Sequence, residues 1–175
     1  ALRFLALTQV RTRDLKQALA TAKKAVVAGP DIWQTHHMLT EIYLGMGKLK
    51  KAVKSAKKVL KLQPNNGESH LALVLAYSGM KKFKPAVKWA KRAVKNAPGK
   101  LEPLMTLAGA YAQIRDKEKV VKTLKKAELV ARSTADKAKV ATAFTIAGEP
   151  KRAVKLYRQI TNEQPQNPAP KAALS

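Results

Sequence analysis

The chain contains no cysteine, which excludes disulfides, thiolate metal centres and a Cys nucleophile. Acids are scarce: eleven Asp and Glu stand against thirty-five Lys and Arg, a formal net charge of +24. Such a field attracts polyanions, and it also keeps a chain soluble. Aromatics make up only 5% of residues, and Trp33 and Trp89 do not recur, so there is no stacking ladder of the kind that single-stranded nucleic acid requires. No apolar run approaches the roughly 18 residues needed to cross a bilayer. Neither a GxxxxGK[ST] nor a GxGxxG phosphate loop occurs. The sequence opens on Ala1 with no signal-peptide pattern, which leaves the compartment open. What is present, 46% apolar residues over 175 positions, suffices for a core or a short repeat array.

A period of 34 runs through the chain. Tyr43, Tyr77 and Tyr111 keep that step, and Phe144 follows 33 later. Pro30, Pro64 and Pro98 keep it too, as do Leu5, Leu39, Leu73 and Leu107, continued by Val140. Ala18, Ala52 and Ala86 form a further column, continued by Val120 and Ala153. The segments YLGMGKLKKAVKSAKKVLKLQP (43–64) and YSGMKKFKPAVKWAKRAVKNAP (77–98) align without a gap.

Each unit reads as two helices. Leu39 and Tyr43 share one face of the first, and Ala52, Ala56 and Val59 share a face of the second. Gly45 and Gly47 mark the break between them, and Pro64 with Asn65 and Asn66 ends the unit. Asp31 and Ser133 are the expected N-caps of the helices that follow them. Nothing alternates with period two, so no sheet is expected.

A 34-residue helix–turn–helix unit with Leu and Tyr in its first helix, small Ala positions in its second and a closing Pro resembles the tetratricopeptide repeat. The resemblance implies an all-α, right-handed superhelical solenoid of antiparallel hairpins. The expected units are 1–32, 33–66, 67–100, 101–133 and 134–166, with a Pro-rich tail or the start of a further helix at 167–175. The ends suggest a segment of a longer array. Some positions depart from the pattern. His36 and His70 stand where the family often has Trp, Gln9 replaces an aromatic, and Arg132 stands where Pro is expected. Val120 and Leu124 occupy places where small residues are usual.

Charge follows the repeat. Residues 31–47, 66–80 and 101–114, the first helices of three consecutive units, contain no Lys or Arg. The second helices carry the cations. Lys23, Lys57, Lys91, Lys125 and Arg158 form one column. Lys24, Lys58, Arg92 and Lys126 form a second, and Lys54, Lys88, Lys122 and Lys155 a third. By the resemblance, first helices line a concave groove and second helices form a convex back. The back is then a basic face for an anionic partner (acidic protein, polysaccharide, lipid headgroups or nucleic acid) or a solubilising surface.

The groove stripe by the same reading is Leu7, then His37, Met38, Glu41 and Leu44, then Leu71, Leu75 and Ser78, then Met105, Gly109 and Ala112, and finally Thr142. Apolar anchors beside small residues can seat an amphipathic helix or an extended peptide. The alternative for Leu71 and Leu75 is ordinary core. Family members that clamp a C-terminal carboxylate use Lys and Asn on first helices, and those of the three units at 31–47, 66–80 and 101–114 lack Lys.

No catalytic constellation is apparent. His37 and Glu41 have i, i+4 spacing but lack a third metal ligand, and His36 and His70 share one repeat position, which points to packing. The expectation is a non-enzymatic protein-binding scaffold without metal or cofactor. Two alternatives stay open: an envelope-associated repeat protein assisting exopolysaccharide or lipoprotein export, and a nucleic-acid or ribosome-associated basic module.

Overall fold

The computed structural model describes residues 14–163. Within them lie α1 (Leu15–Ala28), α2 (Trp33–Gly45), α3 (Leu49–Leu62), α4 (Gly67–Gly79) and α5 (Phe83–Asn96). These are followed by α6 (Leu101–Gln113), α7 (Lys117–Val130), α8 (Thr134–Ile146) and α9 (Pro150–Glu163). No strand occurs among the described residues. The chain divides into two compact units, the first ending at Asn96 and the second beginning at Ala97. In unit 1, α1 to α5 pack each on the next, and α2 also touches α4. In unit 2, α6 pairs with α7 and α8 with α9, while α7 meets α8 over a much smaller interface.

The repeat columns are the core. Leu39, Leu73, Leu107 and Val140 are all buried, and Ala52 and Ala86 are wholly enclosed in second helices. Removing the side chain of a Leu like Leu73 costs about 2–5 kcal/mol. The alanines let helices approach closely, which larger residues would prevent.

The aromatic column has a second role, since it marks where each first helix stops. The N–H of Lys48 donates to the Tyr43 carbonyl at 2.8 Å, and that of Gly47 to Leu44 at 3.0 Å. This pair of bonds is the Schellman motif, which satisfies carbonyls that the helix end would otherwise orphan. The same pair recurs from Lys82 and Lys81 to Tyr77 and Ser78, and from Asp116 and Arg115 to Tyr111 and Ala112. It recurs once more from Glu149 and Gly148 to Phe144 and Thr145. The motif needs one left-handed residue, and it is Gly47 (φ 67°), Lys81 (φ 56°), Arg115 (φ 59°) and Gly148 (φ 74°). Glycine adopts this conformation freely, whereas Lys81 and Arg115 bear a steric cost.

Caps follow sequence chemistry with one exception. Ser133 accepts from the Asp136 N–H, as expected, and Asp14, Asn66 and Asp116 cap α1, α4 and α7 in the same way. Asp31 does not cap α2. Ile32 occupies the cap position without a side-chain bond, and Asp31 instead pairs with Lys58 at 3.1 Å. One residue of register places its carboxylate toward α3 rather than over the amides of α2.

Candidate binding surfaces

In unit 1 the first helices that lack Lys and Arg are α2 and α4. His37 is half-buried, with Nε2 at 3.0 Å from a Glu68 carboxylate oxygen and 3.6 Å from one of Glu41, while its Nδ1 is buried without a partner. The expected groove residue Met38 is not on the surface. It is only 2% exposed and belongs to the core with Ile42, because residues four apart share a helix face. Leu44 packs against that core from its edge. Leu71 and Ser78 are half-buried, and Leu75 is 62% exposed, so Leu75 is surface rather than core. Leu7 lies outside the described residues.

Unit 2 holds an apolar cleft of about 480 Å³ between the α6–α7 hairpin and α8, lined by Met105, Gly109, Ala112, Leu124, Ala143 and Ile146. A second depression continues it past Thr142 and shares Met105, Ala143 and Ile146. Four groove residues expected from sequence, Met105, Gly109, Ala112 and Thr142, therefore come together here. A Cβ placed on Gly109 would meet nothing within 4 Å, so the cleft is open above it. Arg115 and Lys117 stand at its edge.

The cleft exists because the column that closes the corresponding step in unit 1 has changed. There Leu49, at the start of α3, lies against Gly79 at the end of α4; a Cβ on Gly79 would come within 2.8 Å of the Leu49 Cδ1. Two repeats further on the pair is Lys117 and Ile146, and Ile146 is 82% exposed. A lysine keeps its head in water, and a β-branched side chain stands where Gly79 leaves room for Leu49 in unit 1. Val120 and Leu124 add bulk on α7. The α7–α8 connection, residues 131–133, is also one residue shorter than the α3–α4 connection, residues 63–66.

The second helices carry the basic columns outward. Lys23, Lys24, Lys54, Lys57, Lys88 and Lys91 are exposed in unit 1. Lys122, Lys125, Lys126, Lys155 and Arg158 are exposed in unit 2. Lys58 is half-buried against Asp31. The Arg92 guanidinium lies 4.6 Å from the Trp89 ring centre. All eleven acids of the chain fall within residues 14–163. Most are committed to caps and to local pairs such as Glu128 with Arg152 and Glu163 with Lys137.

The repeated histidines are packing groups. His36 Nε2 donates to the Pro30 carbonyl at 2.7 Å. His70 Nδ1 donates to the Asn66 carbonyl at 2.8 Å, and its ring faces Trp89 at 5.7 Å. Burial holds the His70 imidazole below its ordinary range; the Asn66 bond opposes this and Arg92 adds to it. Asp116 is held below the usual carboxylate range by its hydrogen bonds from Lys119, which is raised in turn. Both lie at the start of α7. Among the described residues no three His, Asp or Glu side chains are grouped to hold a metal ion, and no helix is long and apolar enough to cross a membrane.

Comparison with known proteins bears on the fold. Residues 34–66 match the tetratricopeptide repeat family. The chain is similar to TTC0263, a tetratricopeptide protein of Thermus thermophilus, at 16% identity and TM-score 0.69, covering 99% of this chain and 95% of that one. It is similar to MamA from Desulfovibrio magneticus at 19% identity and TM-score 0.74, covering 95% of each. YrrB, described as a tetratricopeptide protein with an unusual peptide-binding site, matches at 15% identity and TM-score 0.66, over 98% of this chain and 89% of that one. No curated protein matches by sequence. The 34–66 unit is a tetratricopeptide repeat, and the helical hairpins around it have the fold of tetratricopeptide solenoids.

Proposed function

We propose that the protein is a non-catalytic scaffold that holds a segment of a partner protein in the apolar cleft between α6 and α8. The observation that carries this reading is the cleft itself. It is open, floored by small side chains, flanked by the exposed Ile146 and free of acids at its deeper end. Met105, Gly109, Ala112 and Thr142 are the contact residues in unit 2. His37, Glu41, Leu71, Leu75 and Ser78 offer a shallower face in unit 1. The five-unit organisation over 1–166 is part of the same proposal. Small residues let a partner's backbone approach, and the apolar walls accept side chains at helical spacing. Arg115 and Lys117 favour a partner with carboxylates beside its apolar stripe.

Titration with a panel of labelled amphipathic helical peptides tests this. Gly109→Leu sets its Cβ in open space and improves helix propensity, so the fold is expected to be retained, with circular dichroism as the check, while the side chain occupies the cleft. Peptide binding that weakens about tenfold or more in this variant supports the proposal. Unchanged affinity for every peptide that binds the parent chain defeats it.

A further inference from the structure

A second cleft, of about 750 Å³, opens in unit 1 among α1, α2 and α3. Its inner wall is Val26, Leu39 and Tyr43 with His36; its outer wall is a row of lysines on α3, Lys51, Lys54, Lys57, Lys58 and Lys61. Among the described residues only Asp31 answers them, by pairing with Lys58. Residues 1–13 and 164–175 contain no Asp or Glu, so neither stretch can supply side-chain carboxylates to the row. The Lys51 ammonium lies 6.0 Å from the Tyr43 ring centre, and Lys54, Lys57 and Lys61 have no carboxylate partner among the described residues.

The next repeat explains why this space is open. Ser55 lines the cleft, and 34 residues on the same position is Trp89. Likewise His36 becomes His70. In that repeat the indole fills the place: Trp89 faces His70 at 5.7 Å and is covered by Arg92 at 4.6 Å. The α1–α3 cleft has the histidine and the cations but lacks the indole.

We propose that this cleft binds an aromatic side chain carried in an acidic polypeptide segment, with the aromatic ring beside His36 and the flanking carboxylates on Lys54, Lys57 and Lys61. Trp89 is the template for the bound ring, since the protein itself stabilises an indole between an imidazole and a cation in the equivalent position. An apolar inner wall behind a cationic rim fits alternating apolar and acidic groups better than a uniform phosphate backbone. A nucleic-acid strand would want exposed rings for its bases, and Tyr43 is only 8% exposed. The site is separate from the α6–α8 cleft and does not depend on what binds there.

The test is fluorescence anisotropy with the full chain and a labelled peptide of alternating Asp and Glu around one central Trp. Controls are the same peptide with a central Ala and a single-stranded oligonucleotide of equal charge. The Trp peptide is expected to bind at least tenfold tighter than the Ala peptide, with affinity falling as salt rises. Ser55→Trp, which installs the side chain of the next repeat, is expected to remove that tenfold preference. Should Ser55→Trp fail to fold, the exposed double reversal Lys54→Glu with Lys57→Glu serves instead and is expected to weaken the Trp peptide at least tenfold. Equal binding of the Trp and Ala peptides overturns the proposal. So does an oligonucleotide that binds as tightly as the Trp peptide, which would make the lysine row a diffuse polyanion surface. Loss of the Trp peptide in Gly109→Leu would place it in the other cleft and also overturn the proposal, whereas loss of only the amphipathic peptides there leaves it standing.

Discussion

The step from α3 to α4 in unit 1 and the step from α7 to α8 in unit 2 occupy the same place in the repeat, yet one is closed and the other open. In the first, Leu49 packs against Gly79, and α3 and α4 meet over a broad interface. In the second, Lys117 and Ile146 hold those positions, the interface shrinks, and an apolar cleft of about 480 Å³ remains. Repeat proteins are stabilised by the sum of hairpins and nearest-neighbour interfaces. A change at one interface therefore opens a site locally while the hairpins on either side keep their own packing. Lys117 and Ile146 in place of Leu49 and Gly79, with Val120 and Leu124 in place of Ala52 and Ala56 and a connection one residue shorter, separate a structural joint from a candidate binding site.

The comparison breaks most sharply if unit 1 is given the unit 2 residue. Gly79→Ile forces a branched side chain onto Leu49 and should cost about 2 kcal/mol by overpacking, measured by urea unfolding. A neutral result would mean that the Leu–Gly contact does not close the step. The reciprocal change, Lys117→Leu with Ile146→Ala, should narrow the unit 2 cleft and weaken peptides bound there about tenfold, or about 1.4 kcal/mol, with the fold retained by circular dichroism.

A pH titration distinguishes the units by chemistry, because all three histidines lie in unit 1. His70 is held below its unfolded value of about 6.5 by burial. Above that pH it is neutral in both states and its contribution is complete. As pH falls from about 6.5 toward the lower folded value, the unfolded chain takes up the proton first and stability drops. Melting temperature should therefore fall between pH 7 and pH 5, and His70→Phe should remove part of that fall. An identical pH profile in His70→Phe would exclude this residue as the cause.

The left-handed turn is the control, since each unit has one glycine and one basic residue there. Arg115→Gly should gain about 0.5 kcal/mol, the relief of strain being partly offset by the freedom of glycine in the unfolded chain. Lys81→Gly should match it in unit 1, and a large difference between the two would show that the turns are not equivalent. Smallest of all is Leu75→Glu. At 62% exposure the change should stay within about 0.5 kcal/mol of the parent in a thermal melt. A drop well beyond that would return Leu75 to the core.

Much of the fold is legible because the repeat states the same pattern several times. Among the described residues the Leu and Ala columns form the core with Tyr43 and Tyr111, while Tyr77 is half-buried, and the lysine columns stay on second-helix faces that are exposed except at Lys58. Met38 is misplaced by a sequence reading because a stripe one position over from the core cannot be separated by spacing alone from a wide core face; α2 is covered over a broader arc than the groove expectation assumes. Asp31 is misplaced for a similar reason, since a cap and an ion pair differ by one residue of register. Val120 and Leu124 are visible as departures, but nothing in the sequence says that they border an opening. Trp89 reads in the sequence only as a residue that does not recur, and in three dimensions that singularity locates the empty equivalent at Ser55.

Sequence alone determined the helical hairpins, their period and the separation of charge, because these depend on local spacing and on residue types repeated in register. Tertiary structure decided which repeat interfaces close and which stay open. That outcome rests on a few contacts between residues on different helices, Leu49 with Gly79 and Trp89 with His70, where a few ångströms of packing space separate a core from a cleft.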